Sequence, residues 1–230
     1  SSFRVSLLQP NLAWNDTYRA YEGNGYYQRI LNSLLQLGEH AIAKEDPDLL
    51  ILPELTMSDF VRQQSSLRTK LSGLAAHKSG LVLGILDDSK NAVVHLADAV
   101  SHDQIYHKHK QVPLFEESVD IEDQFKSPFS FNGCILKGGV FICFESLFPD
   151  VAKRLTVKGA NWLGCVSFNS WLGMTNWPLL HASYMPLRSV ENGRFSFYLN
   201  NHGPSFVTNP FGEAVSYIAM GTRGYTSADI

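Results

Sequence analysis

The chain has 230 residues, 44% of them hydrophobic and 18% charged, with 19 Lys and Arg against 22 Asp and Glu for a net charge of −3. That length and apolar content allow one domain with a sizeable core, and the slightly acidic balance argues against a surface built to hold nucleic acid. The three cysteines, Cys134, Cys143 and Cys165, are too few and too irregularly spaced for a disulfide framework.

No CxxC or HxxxH spacing marks a metal site, and Gly138-Gly139 lacks the pattern of a phosphate loop, so no metal or cofactor is expected. His107 and His109, which flank Lys108, read as polar groups at a site rim. No stretch approaches the length that spans a bilayer. Ser1-Ser2-Phe3-Arg4 lacks the form of a signal peptide, and strand pattern begins almost at once, as in a trimmed or excised domain.

Phe3 to Leu8 reads as a buried strand stopped at Gln9-Pro10. A long helix follows over about Tyr18 to Lys44, striped by Tyr26, Ile30, Leu34, Leu37 and Ala41 at three- and four-residue steps. Asp46-Pro47 ends it, and Leu49 to Leu52 is a short apolar strand of the kind buried on both faces. A second helix is expected from Phe60 to His77 on Leu67, Leu71 and Leu74. Gly80 to Leu86 and Ala92 to Ala97 form a hairpin across Asp87-Asp88-Ser89-Lys90-Asn91, and Gln104 to Lys108 is another strand. Gln111 to Phe131 is a long connection of the kind that carries function.

Cys134 to Leu136 and Gly139 to Cys143 read as strands, and Asp150 to Lys158 as a helix capped by Asp150. Trp162 to Phe168 is a strand, and Trp177 to Glu191 a helix with Pro178 in its first turn. Phe195 to Leu199, Ser205 to Thr208 and a last strand, Ala214 to Ile218, complete the chain. Asn200-Asn201 reads as a turn pair that fits αL geometry. Helices and strands interleave in both halves, with no repeat or linker: a single α/β layered domain over 1–230.

Three reactive side chains share one kind of address. Glu54 ends Leu49-Leu50-Ile51-Leu52-Pro53-Glu54, Lys108 follows Gln104-Ile105-Tyr106-His107, and Cys143 closes Gly139-Val140-Phe141-Ile142. A thiol attacks as thiolate, so a carboxylate within reach can take its proton. An ammonium can orient that carboxylate and hold an oxyanion, with the N–H of Phe144 as a second donor. These parts together perform acyl transfer through a thioester. Each has a plainer reading: a core cysteine, a salt-bridging Glu, a solvated Lys. Cys134 and Cys165 are left in the core class.

The motifs that carry these residues resemble the carbon–nitrogen hydrolase (nitrilase) superfamily, and within it the apolipoprotein N-acyltransferase branch. The likeness rests on Val5-Ser6-Leu7-Leu8-Gln9-Pro10-Asn11, on Leu52-Pro53-Glu54 and on Tyr106 to Glu116 with its second glutamate. It continues through Ile142-Cys143-Phe144-Glu145, Asn169-Ser170-Trp171-Leu172-Gly173, His181, Arg188, Glu191 and Asn200-Asn201-His202-Gly203, covering nearly the whole chain. It implies a four-layer αββα sandwich and a Glu54–Lys108–Cys143 triad. It also implies that Glu116 positions Lys108 or an incoming amine, that Glu145 supports the site, and that Trp171 lies near the substrate. The acyltransferases carry Tyr where this chain has Phe144, which removes a hydroxyl beside the nucleophile.

The expected activity is acyl cleavage or transfer on a small-molecule, peptide or lipid substrate, as an amidase or an N-acyltransferase. A decayed binding or assembly module is the alternative. Superfamily habit implies a homo-oligomer. The expected compartment is cytoplasmic for a free protein and periplasmic for a domain cut from a membrane protein.

Overall fold

A computed structural model describes residues 2–13, 24–58, 65–78, 80–87, 90–96, 104–113, 116, 128–131, 136–172 and 175–230. The expected beginnings of the first two helices, the Cys134 strand and most of the Gln111–Phe131 connection lie outside these residues.

Two mixed sheets stack face to face. The first is built from β1 (Arg4–Gln9), β2 (Leu49–Ile51), β3 (Met57–Ser58), β4 (Leu81–Asp87), β5 (Lys90–Leu96), β6 (Gln104–His107) and β13 (Gly224–Asp229). Its order is β13-β1-β2-β4-β5-β6, with β3 paired to β4. The second holds β7 (Phe129–Ser130), β8 (Lys137–Ile142), β9 (Trp162–Ser167), β10 (Phe195–Asn200), β11 (Ser205–Thr208) and β12 (Ala214–Ile218), in the order β12-β11-β10-β9-β8-β7. In each sheet three central strands run parallel, β1, β2 and β4 in one and β8, β9 and β10 in the other.

Strand alternation divides the side chains between two cores. Val5, Leu7, Leu49, Ile51, Val82 and Val93 face the second sheet, where they meet the cluster of Val140, Ile142, Cys165 and Phe197. Leu8, Leu50, Leu81, Leu83 and Ile85 point outward under α1 (Asn24–Glu45) and α2 (Ser65–Ala75). The stripe expected on α1 is buried at Ile30, Leu34, Leu37 and Ala41, as are Leu71 and Leu74 on α2. Burial of each Leu or Ile contributes about 1.5–3 kcal/mol. On the far side, α3 (Pro149–Val157), α4 (Trp177–Ala182) and α5 (Tyr184–Asn192) cover the second sheet. The four layers are therefore helix, sheet, sheet, helix.

Several expectations change. Helix 177–191 is two helices, α4 and α5, with Ser183 between them. Pro186 has no N–H for the Ala182 carbonyl, which breaks the ladder there. Asp150 does not cap α3: Phe148 holds the N-cap position with no side-chain cap bond, and Pro149 follows it. Asn200 ends β10, and neither it nor Asn201 adopts positive φ. Instead the Asn201 side chain donates to the Leu12 carbonyl at 2.7 Å and accepts from the Leu12 N–H at 2.9 Å.

β12 is not the last strand. β13 returns to the first sheet and pairs antiparallel with β1 from Arg4↔Asp229 to Gln9↔Gly224. Its sequence, Gly-Tyr-Thr-Ser-Ala-Asp, lies at a sheet edge and has no apolar run to announce it. β7 likewise sits inside the expected long connection. Among the described residues no helix is long and apolar enough to cross a membrane.

The topology decides where chemistry can occur. β5 runs antiparallel to β4 and β6 antiparallel to β5, so β6 points the same way as β2 and β4. The chain thus leaves β2, β4 and β6 at one edge of the first sheet, and β8 and β9 leave the second sheet together. Gly84 packs its backbone against the Glu54 turn, where an added Cβ would lie 2.4 Å from Glu54 Cα and 2.5 Å from the Pro53 oxygen. Gly84→Ala must push this turn away; the expected cost is about 1–3 kcal/mol in urea unfolding, with loss of activity exceeding the loss of folded protein.

Candidate active site

Glu54, Lys108 and Cys143 leave β2, β6 and β8 at this common edge. All three are buried, at 2%, 2% and 7% exposure. Glu54 follows Pro53, whose carbonyl accepts from the Gly84 N–H at 3.1 Å, and Leu55 after it takes φ 51°. Cys143 also takes a left-handed φ, 49°, as it opens a 3-10 turn over Cys143–Leu147. Left-handed backbone is costly for residues with a Cβ and persists where surroundings enforce it.

Three donors grip the Glu54 carboxylate. Oε1 accepts from Lys108 Nζ at 3.3 Å and Asn91 Nδ2 at 3.0 Å, and Oε2 accepts from the Phe168 N–H at 3.0 Å. Lys108 Nζ also donates to Glu116 Oε1 at 2.6 Å, and Asn91 Nδ2 reaches the same oxygen at 3.1 Å. The other oxygen of Glu116 accepts from the Val112 N–H at 2.7 Å. Burial pushes Glu54 above the usual carboxylate value, opposed by Lys108 and reinforced by Glu116. Burial by itself would lower Lys108, but Glu54, Cys143 and Glu116 outweigh it and hold the ammonium above its ordinary range. Burial and the Glu54 charge push the Cys143 thiol up to about 12, against the pull of Lys108. The sulfur is therefore held as a thiol, and it can act as a nucleophile only by losing that proton.

Glu145 sits beneath these groups, fully buried. It accepts from the N–H groups of His109 at 2.6 Å, Lys110 at 3.2 Å and Ile142 at 2.7 Å. Tyr106 Oη donates to it at 2.9 Å. Burial pushes Glu145 up to about 7, against the Ile142 and His109 N–H groups. Phe144 stacks edge-on against Phe148 with ring centres 5.2 Å apart, and Trp171 is 37% exposed. His107, expected at the rim, pairs with Asp87 at 2.8 Å, while the His109 ring lies edge-on to Tyr106. Cys165 is core, as expected, although its thiol points toward the Cys143 carbonyl at 3.6 Å.

Two cavities meet at Cys143. One, of about 360 Å³, is lined by Glu54, Asn91, Glu116, Cys143, Phe168 and Trp171. The other, about 430 Å³ and mainly apolar, has Cys143, Phe144, Leu147, Trp177, Leu180 and Tyr184 on its walls. Val112 and Trp171 border both. The sulfur is not sealed in a core, which counts against the binding-module alternative.

Carbon-nitrogen hydrolase is the family whose profile this sequence matches, over residues 4–230. The chain belongs to the carbon-nitrogen hydrolase family. It is similar to the apolipoprotein N-acyltransferase of Aquifex aeolicus (strain VF5), 25% identical over 213 residues covering 83% of this chain and 47% of that protein. The chain spans less than half the length of this relative. Among solved structures, Saccharomyces cerevisiae Nit3, a member of branch 10 of the nitrilase superfamily, superposes with TM-score 0.71 at 20% identity over 99% of this chain and 89% of that one. A mutant of the amidase from Nesterenkonia sp. AN1, with acrylamide added to its active-site cysteine, gives TM-score 0.68 at 19% identity over 99% and 93%. These structures share the sandwich described above.

Sequence reasoning missed Asn91 and Asn169 as site residues. Asn91 was read as part of a hairpin turn, yet it bridges the two carboxylates. Asn169 Oδ1 faces Cys143 Sγ at 4.0 Å and accepts from Ser167 Oγ at 3.1 Å. For Asn169 the available signal was a polar residue just past the end of a parallel strand; Asn91, at the start of the antiparallel β5, carried none. Among the described residues no cluster of His, Cys, Asp and Glu could hold a metal ion.

Glu145→Gln turns one acceptor oxygen into an NH2 group facing N–H donors, so at least one buried N–H loses its partner. The expected loss is about 1–3 kcal/mol in chemical denaturation at pH 7, larger than for a substitution of exposed Glu213.

Proposed function

We propose that this protein transfers acyl groups through a thioester on Cys143, and that its acceptor is an amine. Glu54 takes the thiol proton as sulfur attacks the donor carbonyl carbon. Lys108 and the Phe144 N–H hold the resulting oxyanion. Collapse expels the donor's amine or alcohol, which leaves with the proton from Glu54. An acceptor ammonium first gives one proton to Glu116, which passes it to solvent; the neutral amine then attacks the thioester, Glu54 removes a second proton, and collapse returns that proton to sulfur.

The observation that carries this reading is the meeting of two unlike cavities at one sulfur. The apolar side suits an acyl chain. On the other side, whose walls carry the Glu54 and Glu116 carboxylates, these outnumber Lys108 by one charge, which attracts a cationic amine. Matches to proteins named apolipoprotein N-acyltransferase support transfer to nitrogen. A lipid or peptide partner is part of the same proposal. A second reading, hydrolysis of a small amide, is favoured by the size of the carboxylate-bearing cavity, about 360 Å³.

Cys143→Ala should abolish covalent acylation by an activated ester, read by intact mass, while Cys165→Ala leaves it in place. Label found on Cys165 would overturn the assignment. Glu116→Gln should lower aminolysis of the thioester more than its hydrolysis, by roughly tenfold; equal losses would favour the amidase reading.

The pH profile follows from the same charges. Glu54 must be ionised to accept a proton, and its value is raised, so the acid limb of kcat/KM should lie above the ordinary 4.5. Cys143 at about 12 leaves no thiol titration near 9, so the rate should stay flat from neutrality to about pH 9. A rate that climbs through pH 8–9 as a free thiol ionises would contradict Glu54 as the base.

A further inference from the structure

His181 belongs to neither the carboxylate–ammonium cluster nor the nucleophile, yet it is buried behind the cysteine with a full set of partners. Its Nε2 lies 2.9 Å from the Cys143 carbonyl oxygen and 2.9 Å from Ser146 Oγ. Its Nδ1 lies 2.9 Å from Tyr198 Oη and 3.1 Å from Asn169 Nδ2. A carbonyl can only accept, so Nε2 carries the hydrogen and Nδ1 accepts from the tyrosine and the amide. The ring is fixed in one tautomer. Burial takes His181 down to about 4, against its bond to the Cys143 carbonyl, which keeps the ring neutral.

The carbonyl that His181 holds belongs to the Cys143–Phe144 peptide. That group is planar and trans, so its oxygen and the Phe144 N–H point in opposite directions. Phe144 is the second residue of the 3-10 turn, where an N–H lacks an intrahelical acceptor. The left-handed φ of Cys143, 49°, leaves this peptide's orientation to be enforced by its neighbours. A donor on the oxygen anchors the plane and polarises the amide, strengthening the N–H as a donor. The thiol of Cys165 adds a weaker contact to the same oxygen at 3.6 Å.

We infer that His181 is a positioning residue for oxyanion stabilisation: its Nε2–H grips the Cys143 carbonyl and so aims and polarises the Phe144 N–H on the other side of that peptide. This rests on the thioester reading above. His181 also borders the apolar cavity at Cys143, but both of its ring nitrogens are engaged by protein groups, and it does not activate sulfur, since its acceptor nitrogen faces Tyr198 and Asn169. Asn169 connects the two systems, with Oδ1 toward Cys143 Sγ and Nδ2 toward the imidazole.

Two substitutions separate the roles of the ring nitrogens. In His181→Gln the side-chain amide reaches the position of Nε2 and can still donate to the Cys143 carbonyl. In His181→Asn the shorter amide can meet Tyr198 and Asn169 but falls short of the carbonyl. Each variant is tested with p-nitrophenyl butyrate, which acylates Cys143 through an oxyanion, and with iodoacetamide, which alkylates it by displacement of iodide with none. His181→Asn should lose acylation rate by roughly 10- to 100-fold, approaching the loss of an oxyanion donor, with kcat falling and KM little changed. Its alkylation rate should stay near wild type, which also reports a folded site. His181→Gln should recover most of the acylation rate. Acylation and alkylation falling in parallel, or Asn and Gln behaving alike, would overturn the inference. A wild type that is alkylated but never acylated would instead defeat the thioester reading itself, and the inference with it.

Discussion

The Glu145 carboxylate accepts from the Ile142 N–H on the cysteine side and from the His109 and Lys110 N–H groups on the lysine side. Ile142 ends β8 of the second sheet and His109 follows β6 of the first, and they adjoin Cys143 and Lys108 in sequence. One buried group therefore sets the separation of Cys143 and Lys108. Tyr106, on the strand that delivers Lys108, closes the arrangement through its hydroxyl. As third residue of the turn begun by Cys143, Glu145 also reaches back to the N–H of Ile142 just before it, much as a capping box closes a helix start. The left-handed cysteine and the lysine loop are held by the same two oxygens.

Above this anchor the electrostatics run on a short supply of water. Lys108 is buried with carboxylates on two sides, an arrangement in which removing either partner leaves an uncompensated charge. Burial first, and the Glu54 charge after it, raise the cost of a thiolate at Cys143, against the pull of Lys108. Glu54 is likewise raised by burial, which on the proposed reading makes it better able to hold a proton taken from sulfur. A thiol kept protonated and a carboxylate with raised proton affinity both follow chiefly from the burial of this cluster.

Much of this was legible in the chain because strand ends are legible. Short apolar runs closed by Glu54, by Lys108 and by Cys143 marked the common edge, and the periodic leucines of α1 and α2 marked the outer helices. What stayed hidden depended on partners rather than on local pattern. β13 is polar and short of apolar residues; it becomes a strand because β1 offers an open edge. Asn91 looks like any turn residue until β4 and β5 carry it between two carboxylates. The interruption at Ser183 was readable from Pro186, yet the apolar spacing across it suggested one continuous helix. Asn200-Asn201 carried turn chemistry by composition, but the Asn201 side chain joins the end of β10 to the Leu12 segment, and neither residue is left-handed.

Phe144 shows how a side chain can change while a backbone role persists. A tyrosine there would bring a hydroxyl to the cavity wall; phenylalanine brings only a ring, which packs edge-on to Phe148 and lines the apolar chamber with Leu147, Trp177 and Leu180. Its N–H is untouched by the exchange, since that group is aimed by the peptide it shares with Cys143. On the proposed thioester reading, the ring therefore bears on what the chamber accepts, in favour of apolar groups, while the backbone donor stays the same. Substrate preference and chemistry would then lie on opposite sides of one residue, the side chain facing the proposed acyl pocket and the main chain facing the sulfur's target.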